Sequence, residues 1–151
     1  MLREFVEKKH YKFAKGVSDW REAIRMSCEV LEADGTVEAN YKEDIIACVE
    51  KYGPYIVIMP DVAIPHSQEG ATGVNDTAIG FMKLEQPVSF DEEDPEKDAR
   101  LFFTLAACNP DQHLENMTKL SELLMNEDVV AALLEASSPE ELLKIQETYL
   151  D

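Results

Sequence analysis

Tyr55-Ile56-Val57-Ile58-Met59, enclosed by Pro54 and Pro60, leads through Asp61 into Val62-Ala63-Ile64-Pro65-His66. The first run is short, apolar and rich in β-branched residues, with a proline at each end, and reads as a buried strand. Val62-Ala63-Ile64 is a second short extended piece. Pro65 fixes its own φ and pushes Ile64 toward extended geometry. The chain therefore leaves a strand stiffly, into the polar loop Ser67-Gln68-Glu69-Gly70, with His66 at the exit.

On both sides of this stretch the apolar period changes. Upstream, residues 2–9 read as a short helix with Leu2, Phe5 and Val6 on one face, and residues 11–14 as a short strand. Ser18 is the expected N-cap of a helix carrying Trp20, Ala23, Ile24, Ser27, Cys28 and Leu31, stopped by Asp34-Gly35. A second amphipathic helix over residues 39–51 has the stripe Tyr41, Ile45, Ile46, Val49 and Tyr52, and Gly53-Pro54 ends it. Downstream, residues 77–84 and 88–90 read as two strands, and residues 101–108 (LFFTLAAC) as the most apolar strand of the chain. Between them, residues 91–98 form a charged run expected as a solvated turn. The last third returns to helix. Residues 112–125 place Leu114, Met117, Leu120, Ser121 and Leu124 on one face, Asn126 caps a helix through Leu134, and Ser138-Pro139-Glu140-Glu141 is a start signal. Helices, then strands, then helices around one core predict an α/β fold. The expectation is a mixed β-sheet sandwiched by α-helices, one domain over residues 1–151.

Composition narrows the function classes. The 151 residues carry 14 basic and 31 acidic side chains, a formal net charge of −17. Nucleic-acid binding needs clustered Lys and Arg against phosphates, so no nucleic-acid partner is expected. The same charge disfavours docking on anionic lipid and leaves basic protein partners open. No segment approaches the roughly 20 continuous apolar residues of a membrane span. The opening residues Met1 to Glu7 lack the apolar core of a signal peptide. Cys28, Cys48 and Cys108 stand far apart, an odd count that reads as reduced, buried thiols of a cytoplasmic protein. The amphipathic helices fit a core or a like neighbour, which leaves a homo-oligomer open.

Chemistry falls on histidine. Of His10, His66 and His113, His10 ends a polar helix and receives no role. His66, stiffly presented and near neutral at physiological pH, can act as a nucleophile or a ligand, or sit in a surface loop. His113 follows Asn109-Pro110-Asp111-Gln112 at a helix start. Free backbone N–H groups there suit an anion, and the dipole favours a neutral ring. If strands 55–58 and 101–108 end on the same side, the two histidines face one another at an edge where open α/β sheets place ligands. No metal site is expected, because the histidines lie far apart and no zinc-ligand spacing occurs. The chain has no G-x-S-x-G elbow, no phosphate-binding P-loop and no dinucleotide fingerprint.

The run from Gly53 to His66, with its apolar-Ala-apolar-Pro-His ending, resembles a known active-site signature. It is that of enzyme IIA of the bacterial phosphoenolpyruvate-dependent sugar phosphotransferase system, in the fructose–mannitol superfamily. The resemblance extends to Thr77-Ala78-Ile79-Gly80-Phe81, Pro87-Val88-Ser89-Phe90, Leu105-Ala106-Ala107 and Asp111-Gln112-His113, and so covers nearly the whole chain. The Tyr-Gly-Pro-Tyr run at residues 52–55 is most similar to the L-ascorbate branch. The resemblance implies a cytoplasmic phosphocarrier without cofactor. His66 would accept a phosphoryl group from phospho-HPr, on Nε2 by family likeness. It would pass the group to a cysteine of enzyme IIB, and so indirectly to the membrane enzyme IIC. His113 would be the accessory histidine, and the Ser67 hydroxyl would join the backbone N–H groups after His66 in holding the phosphate. Tyr55, Ile64 and Val74 would form a docking ring for HPr. Two departures stand out: Ser67 replaces a frequent glycine, and Lys51 is the stand-in for an upstream arginine of mannitol-type members. The alternative within this fold is a nitrogen-type regulatory protein, which takes a phosphate as a signal and serves no sugar transport.

Overall fold

A computed structural model describes residues 1–68 and 72–151. Along the chain run α1 (Leu2–Lys8), β1 (Tyr11–Ala14), α2 (Trp20–Ala33), α3 (Asn40–Tyr52), β2 (Val57–Met59), β3 (Asp61–Ala63), β4 (Ala78–Ser89), β5 (Asp98–Ala106), α4 (Pro110–Leu124), α5 (Glu127–Glu135) and α6 (Pro139–Ile145). A π-helical turn, Gln146–Leu150, closes the sequence. The strands form one mixed sheet in the order β1-β4-β5-β3-β2. β1 runs parallel to β4 and β3 parallel to β5, whereas the β4–β5 and β2–β3 pairs are antiparallel.

Central β5 explains why the sheet is covered on both faces. All its residues from Leu101 to Ala106 are buried, and the pleat sends them alternately to opposite sides. Phe102 and Ala106 pack under α2 and α3 with Ile24, Cys28, Leu31, Tyr41, Ile45 and Val49. Leu101, Phe103 and Leu105 pack on the other face with Phe5, Leu120, Leu123, Val129, Leu133 and Leu142 from the remaining helices. A continuous apolar run is what a strand buried on both faces requires. The α/β sandwich expected from the sequence is therefore the observed architecture. α2 lies close on the sheet: a Cβ on Gly80 would come within 3.2 Å of Val30 and 3.3 Å of Leu31.

Several local readings change. Residues 77–84 and 88–90 are one strand, because the chain passes Pro87 through a register shift between Lys83 and Val88. A proline is tolerated where the ladder is already interrupted. The helix expected to start on Ser18 is capped by Asp19, whose Oδ1 accepts from the Glu22 N–H at 2.9 Å. The Ser18 N–H donates in turn to the Glu22 carboxylate at 2.8 Å. On α4, Leu114 is 66% exposed and Ser121 is also exposed, while Asn116 and Leu123 are buried. Asn116 is drawn inward by its amide, which donates to the Ala106 carbonyl at 3.2 Å, so an apolar pattern could not reveal it. Finally, residues 57–59 do not run parallel to β5. That partner is β3, and β2 is the antiparallel edge strand beyond it.

Candidate functional site

β3 and β5 run parallel, so both deliver the chain to the same sheet edge. His66 lies just beyond β3, and His113 lies in the first turn of α4, just beyond β5. Their rings meet there, with centroids 5.3 Å apart and planes inclined at 36°. The edge expected from the sequence is thus the right one, reached by β3 rather than by residues 55–58.

Hydrogen bonds from several elements fix the backbone around His66. The Leu105 N–H donates to the Pro65 carbonyl at 2.9 Å, and the Ile64 N–H to the Ile56 carbonyl at 2.7 Å. Tyr55, its ring edge-on to the imidazole at 5.1 Å, donates its hydroxyl to the His66 carbonyl. Tyr41, 3% exposed, donates its hydroxyl to the Leu105 carbonyl at 2.6 Å. Burial pushes the pKa of this phenol up. The Ser67 hydroxyl lies 3.8 Å from the Cys48 sulfur. Glu69 and Gly70, which complete the polar loop expected after His66, lie outside the described residues.

The ring itself is tied at Nδ1, 2.6 Å from the Ile64 carbonyl oxygen. A carbonyl can only accept, so Nδ1 carries the proton and Nε2 keeps its lone pair. Burial lowers the His66 pKa below the ordinary histidine value; the bond to Ile64 opposes this, and nearby His113 adds to the lowering. A neutral ring with a free Nε2 is a nucleophile at physiological pH.

His113 is carried by a helix start that holds itself together. Asn109 caps α4, its side chain accepting from the Gln112 N–H at 2.9 Å, and Pro110 occupies the first turn. Thr77 donates its hydroxyl to the Gln112 side chain and accepts from the Cys108 N–H at 3.1 Å. Sequence spacing does not single out Tyr41, Tyr55, Thr77 or Gln112 as supports. Tyr41 sits on a helical apolar stripe and reads as core, and nothing in its spacing announces the hydroxyl.

The other residues singled out in the sequence fall in different places. Ile64 is 1% exposed and cannot belong to a docking ring. Exposed apolar surface beside the histidines comes instead from Tyr52, whose ring lies 6.5 Å from Tyr55, and from Leu114, the neighbour of His113. Lys51 places its ammonium 5.1 Å from the Tyr52 ring centre. His10 is buried, with Nε2 2.6 Å from an Asp34 carboxylate oxygen. Cys28 and Cys48 are buried as expected, and burial pushes the Cys28 thiol up to about 12, whereas Cys108 is exposed. Among the described residues, no group of three or more His, Cys, Asp or Glu is placed to hold a metal ion. No helix among them is long and apolar enough to cross a membrane.

Comparison with known proteins supplies a family and a shared fold. Residues 4–148 match the family described as "Phosphoenolpyruvate-dependent sugar phosphotransferase system, EIIA 2". The ascorbate-specific EIIA component of Mycoplasma pneumoniae is 36% identical over 118 residues, 78% of this chain and 72% of that one. The mannitol-specific cryptic phosphotransferase enzyme IIA of Escherichia coli superposes with a TM-score of 0.83 at 31% identity, covering 95% of this chain and 96% of that one. The mannitol enzyme IIA of Escherichia coli, solved in complex with its phosphorylated enzyme IIB, superposes with a TM-score of 0.77 at 28% identity, covering 91% and 94%. A matching sequence profile over nearly the whole chain and a shared fold lead to one assignment: the chain belongs to the EIIA 2 family of the phosphoenolpyruvate-dependent sugar phosphotransferase system.

Proposed function

We propose that the chain is a phosphocarrier that takes a phosphoryl group from phospho-HPr onto His66 Nε2 and hands it to an enzyme IIB. The observation that carries this reading is the tie of Nδ1 to the Ile64 carbonyl, which leaves Nε2 unprotonated at the sheet edge. In the accepting step, a bond forms between His66 Nε2 and phosphorus as the N–P bond in HPr breaks. The bonding pair returns to the donor imidazole, which takes up a proton. In the second step the IIB cysteine thiolate forms the S–P bond as the His66 Nε2–P bond breaks, its electron pair returning to Nε2.

Little covalent work falls to the protein in such a transfer. Alignment and stabilisation of the equatorial oxygens make up most of it. His113, 5.3 Å away between ring centres, is the accessory group that meets those oxygens. The backbone N–H groups that open α4 add positive potential, and the Ser67 hydroxyl turns from Cys48 to donate. No cofactor enters the scheme, because the donor is itself a phosphohistidine. Tyr52, Tyr55 and Leu114 form the apolar contact around the histidines, keeping water from the N–P bond. The net charge of −17 steers a partner that approaches with basic groups around its own histidine. The likeness to ascorbate-specific relatives favours L-ascorbate among the sugars.

Hand-over to enzyme IIB separates transport from signalling. Radiolabelled phosphoprotein mixed with an ascorbate-type enzyme IIB is expected to lose its label to the IIB cysteine. Label that stays on the chain with ascorbate- and mannitol-type IIB proteins alike would contradict the transport reading and favour the regulatory one.

A further inference from the structure

The half of α4 that carries His113 is held to the sheet by polar groups rather than by apolar packing. Within residues 110–119 no apolar side chain is buried: Pro110 and Leu114 are exposed and Met117 is half-buried. Buried apolar residues of this helix begin at Leu120. Two polar ties do the work before that point. Asn116, 6% exposed, donates its amide to the Ala106 carbonyl at 3.2 Å, and the Gln112 side chain accepts from the Thr77 hydroxyl. Gln112 and Asn116 stand four residues apart and so share one face of the helix. Thr77 is in place for this because β4 and β5 are antiparallel. Their register pairs Ala78 with Ala106, which sets the residue before β4 across from the chain leaving β5. The Thr77 hydroxyl therefore also accepts from the Cys108 N–H at 3.1 Å, just ahead of α4. One hydroxyl thus binds the loop entering the helix and the helix itself. Two ties on one face, a turn apart, fix how α4 is rolled about its axis. Successive helical residues point roughly 100° apart, so the roll set at Gln112 decides where the next side chain, His113, is aimed.

We infer that Thr77 is a positioning residue, whose hydroxyl sets the roll of α4 and so holds the His113 ring beside that of His66. The inference rests on the reading of His66 as the phosphoryl acceptor with His113 as its accessory group, and it adds a residue that acts through His113. The two rings lie 5.3 Å apart between centroids. A displacement of about 1 Å in an aligned group can cost as much as 100-fold in rate, so even a small roll of the helix is felt. With few apolar anchors in its first two turns, α4 has little else to resist that roll once the Thr77 hydroxyl is gone.

The test pairs Thr77→Val, which keeps the shape of the side chain and removes the hydroxyl, with Thr77→Ser, which keeps the hydroxyl. Thr104→Val makes the same change elsewhere: Thr104 is 1% exposed and its hydroxyl donates to the Ser27 carbonyl at 3.3 Å. Rates of phosphoryl transfer from phospho-HPr at varied HPr are taken on folded protein, below the melting transition of each variant. Thr77→Val is expected to lower the maximal rate about fivefold with little change in the half-saturating HPr concentration, as misalignment of a held group does. Thr77→Ser and Thr104→Val are expected to keep the wild-type rate. The decisive comparison repeats Thr77→Val in a His113→Ala background. There it is expected to cost nothing more, because a residue that acts through His113 has no effect once that ring is gone. A second readout needs no phosphate. Because His113 lowers the His66 pKa, an NMR titration is expected to find that pKa moved upward in Thr77→Val. A wild-type rate in Thr77→Val or an unmoved His66 pKa would overturn the inference, as would an equal loss of rate with and without His113. If the wild-type chain takes no phosphate from HPr, the phosphocarrier reading fails, and the His66 titration alone decides whether Thr77 holds His113.

Discussion

At the scale of single residues, the site is a histidine whose two ring nitrogens have been given different work. Nδ1 is spent on the Ile64 carbonyl, so any proton taken up at low pH must go to Nε2, the atom proposed to accept the phosphoryl group. Burial first, and His113 second, hold the His66 pKa below the ordinary value. The sign follows directly: a lowered pKa keeps Nε2 free throughout the neutral range, and the nucleophile is lost only as pH falls through the lowered value. Phosphoryl acceptance is expected to stay flat from alkaline pH down to about 6.5, the unperturbed histidine value, and to drop below it. His113→Ala should slow transfer without abolishing it and should move the His66 pKa upward. The move stays short of a full return, because burial remains. An NMR titration of the His66 ring checks both; an unmoved pKa in His113→Ala would show that the two rings do not feel one another. His66 itself was legible in the sequence, because Pro65 and the strand before it announce a presented side chain. Tyr41 and Tyr55 were not, since an aromatic residue at an apolar position looks the same whether or not its hydroxyl has a task.

At the scale of elements, α4 matters for how it begins. Asn109 caps its N-terminus and Ser138 caps that of α6, each by accepting a hydrogen bond from the N–H three residues on. Removing either cap by alanine is expected to cost about 1 kcal/mol of stability. The functional consequences differ. Asn109→Ala loosens the turn that carries His113 and should slow phosphoryl transfer several-fold, whereas Ser138→Ala should leave transfer unchanged. Denaturant melts paired with transfer rates test this; equal rates in the two variants would show that the α4 start does not help to place His113. The Ser138 cap is readable from sequence, because the Ser-Pro-Glu-Glu start carries local geometry with it; the Asn109 cap is not singled out there, and α4 begins at Pro110 rather than at residue 112. The direction of the strand at residues 57–59 could not be read either. Only the tight β2–β3 turn, with Asp61 in the left-handed region at φ 73°, makes that strand antiparallel and leaves β3 as the partner of β5. Likewise, the inward turn of Asn116 depends on a carbonyl contributed by another element.

At the scale of the whole molecule, the two-faced sheet fixes where the chemistry can be. Six buried residues in a row at Leu101 to Ala106 require cover on both sides, so helices occupy both faces and a partner must reach the histidines at the strand ends. The α/β sandwich was readable from the order of periodicities alone. The meeting of His66 and His113, 47 positions apart in the numbering, was readable only as a condition on strand direction, because sequence separation carries no distance. The charge of −17 was plain from composition, and its meaning depends on the partner's field. Whether this edge exists to hold one phosphoryl group on His66 is decided by intact mass. The purified chain is mixed with phosphoenolpyruvate, enzyme I and HPr, alongside His66→Ala. The wild type is expected to gain the mass of one phosphoryl group and the variant none; an undiminished gain in His66→Ala, or no gain in the wild type, would contradict the assignment of His66 as the acceptor.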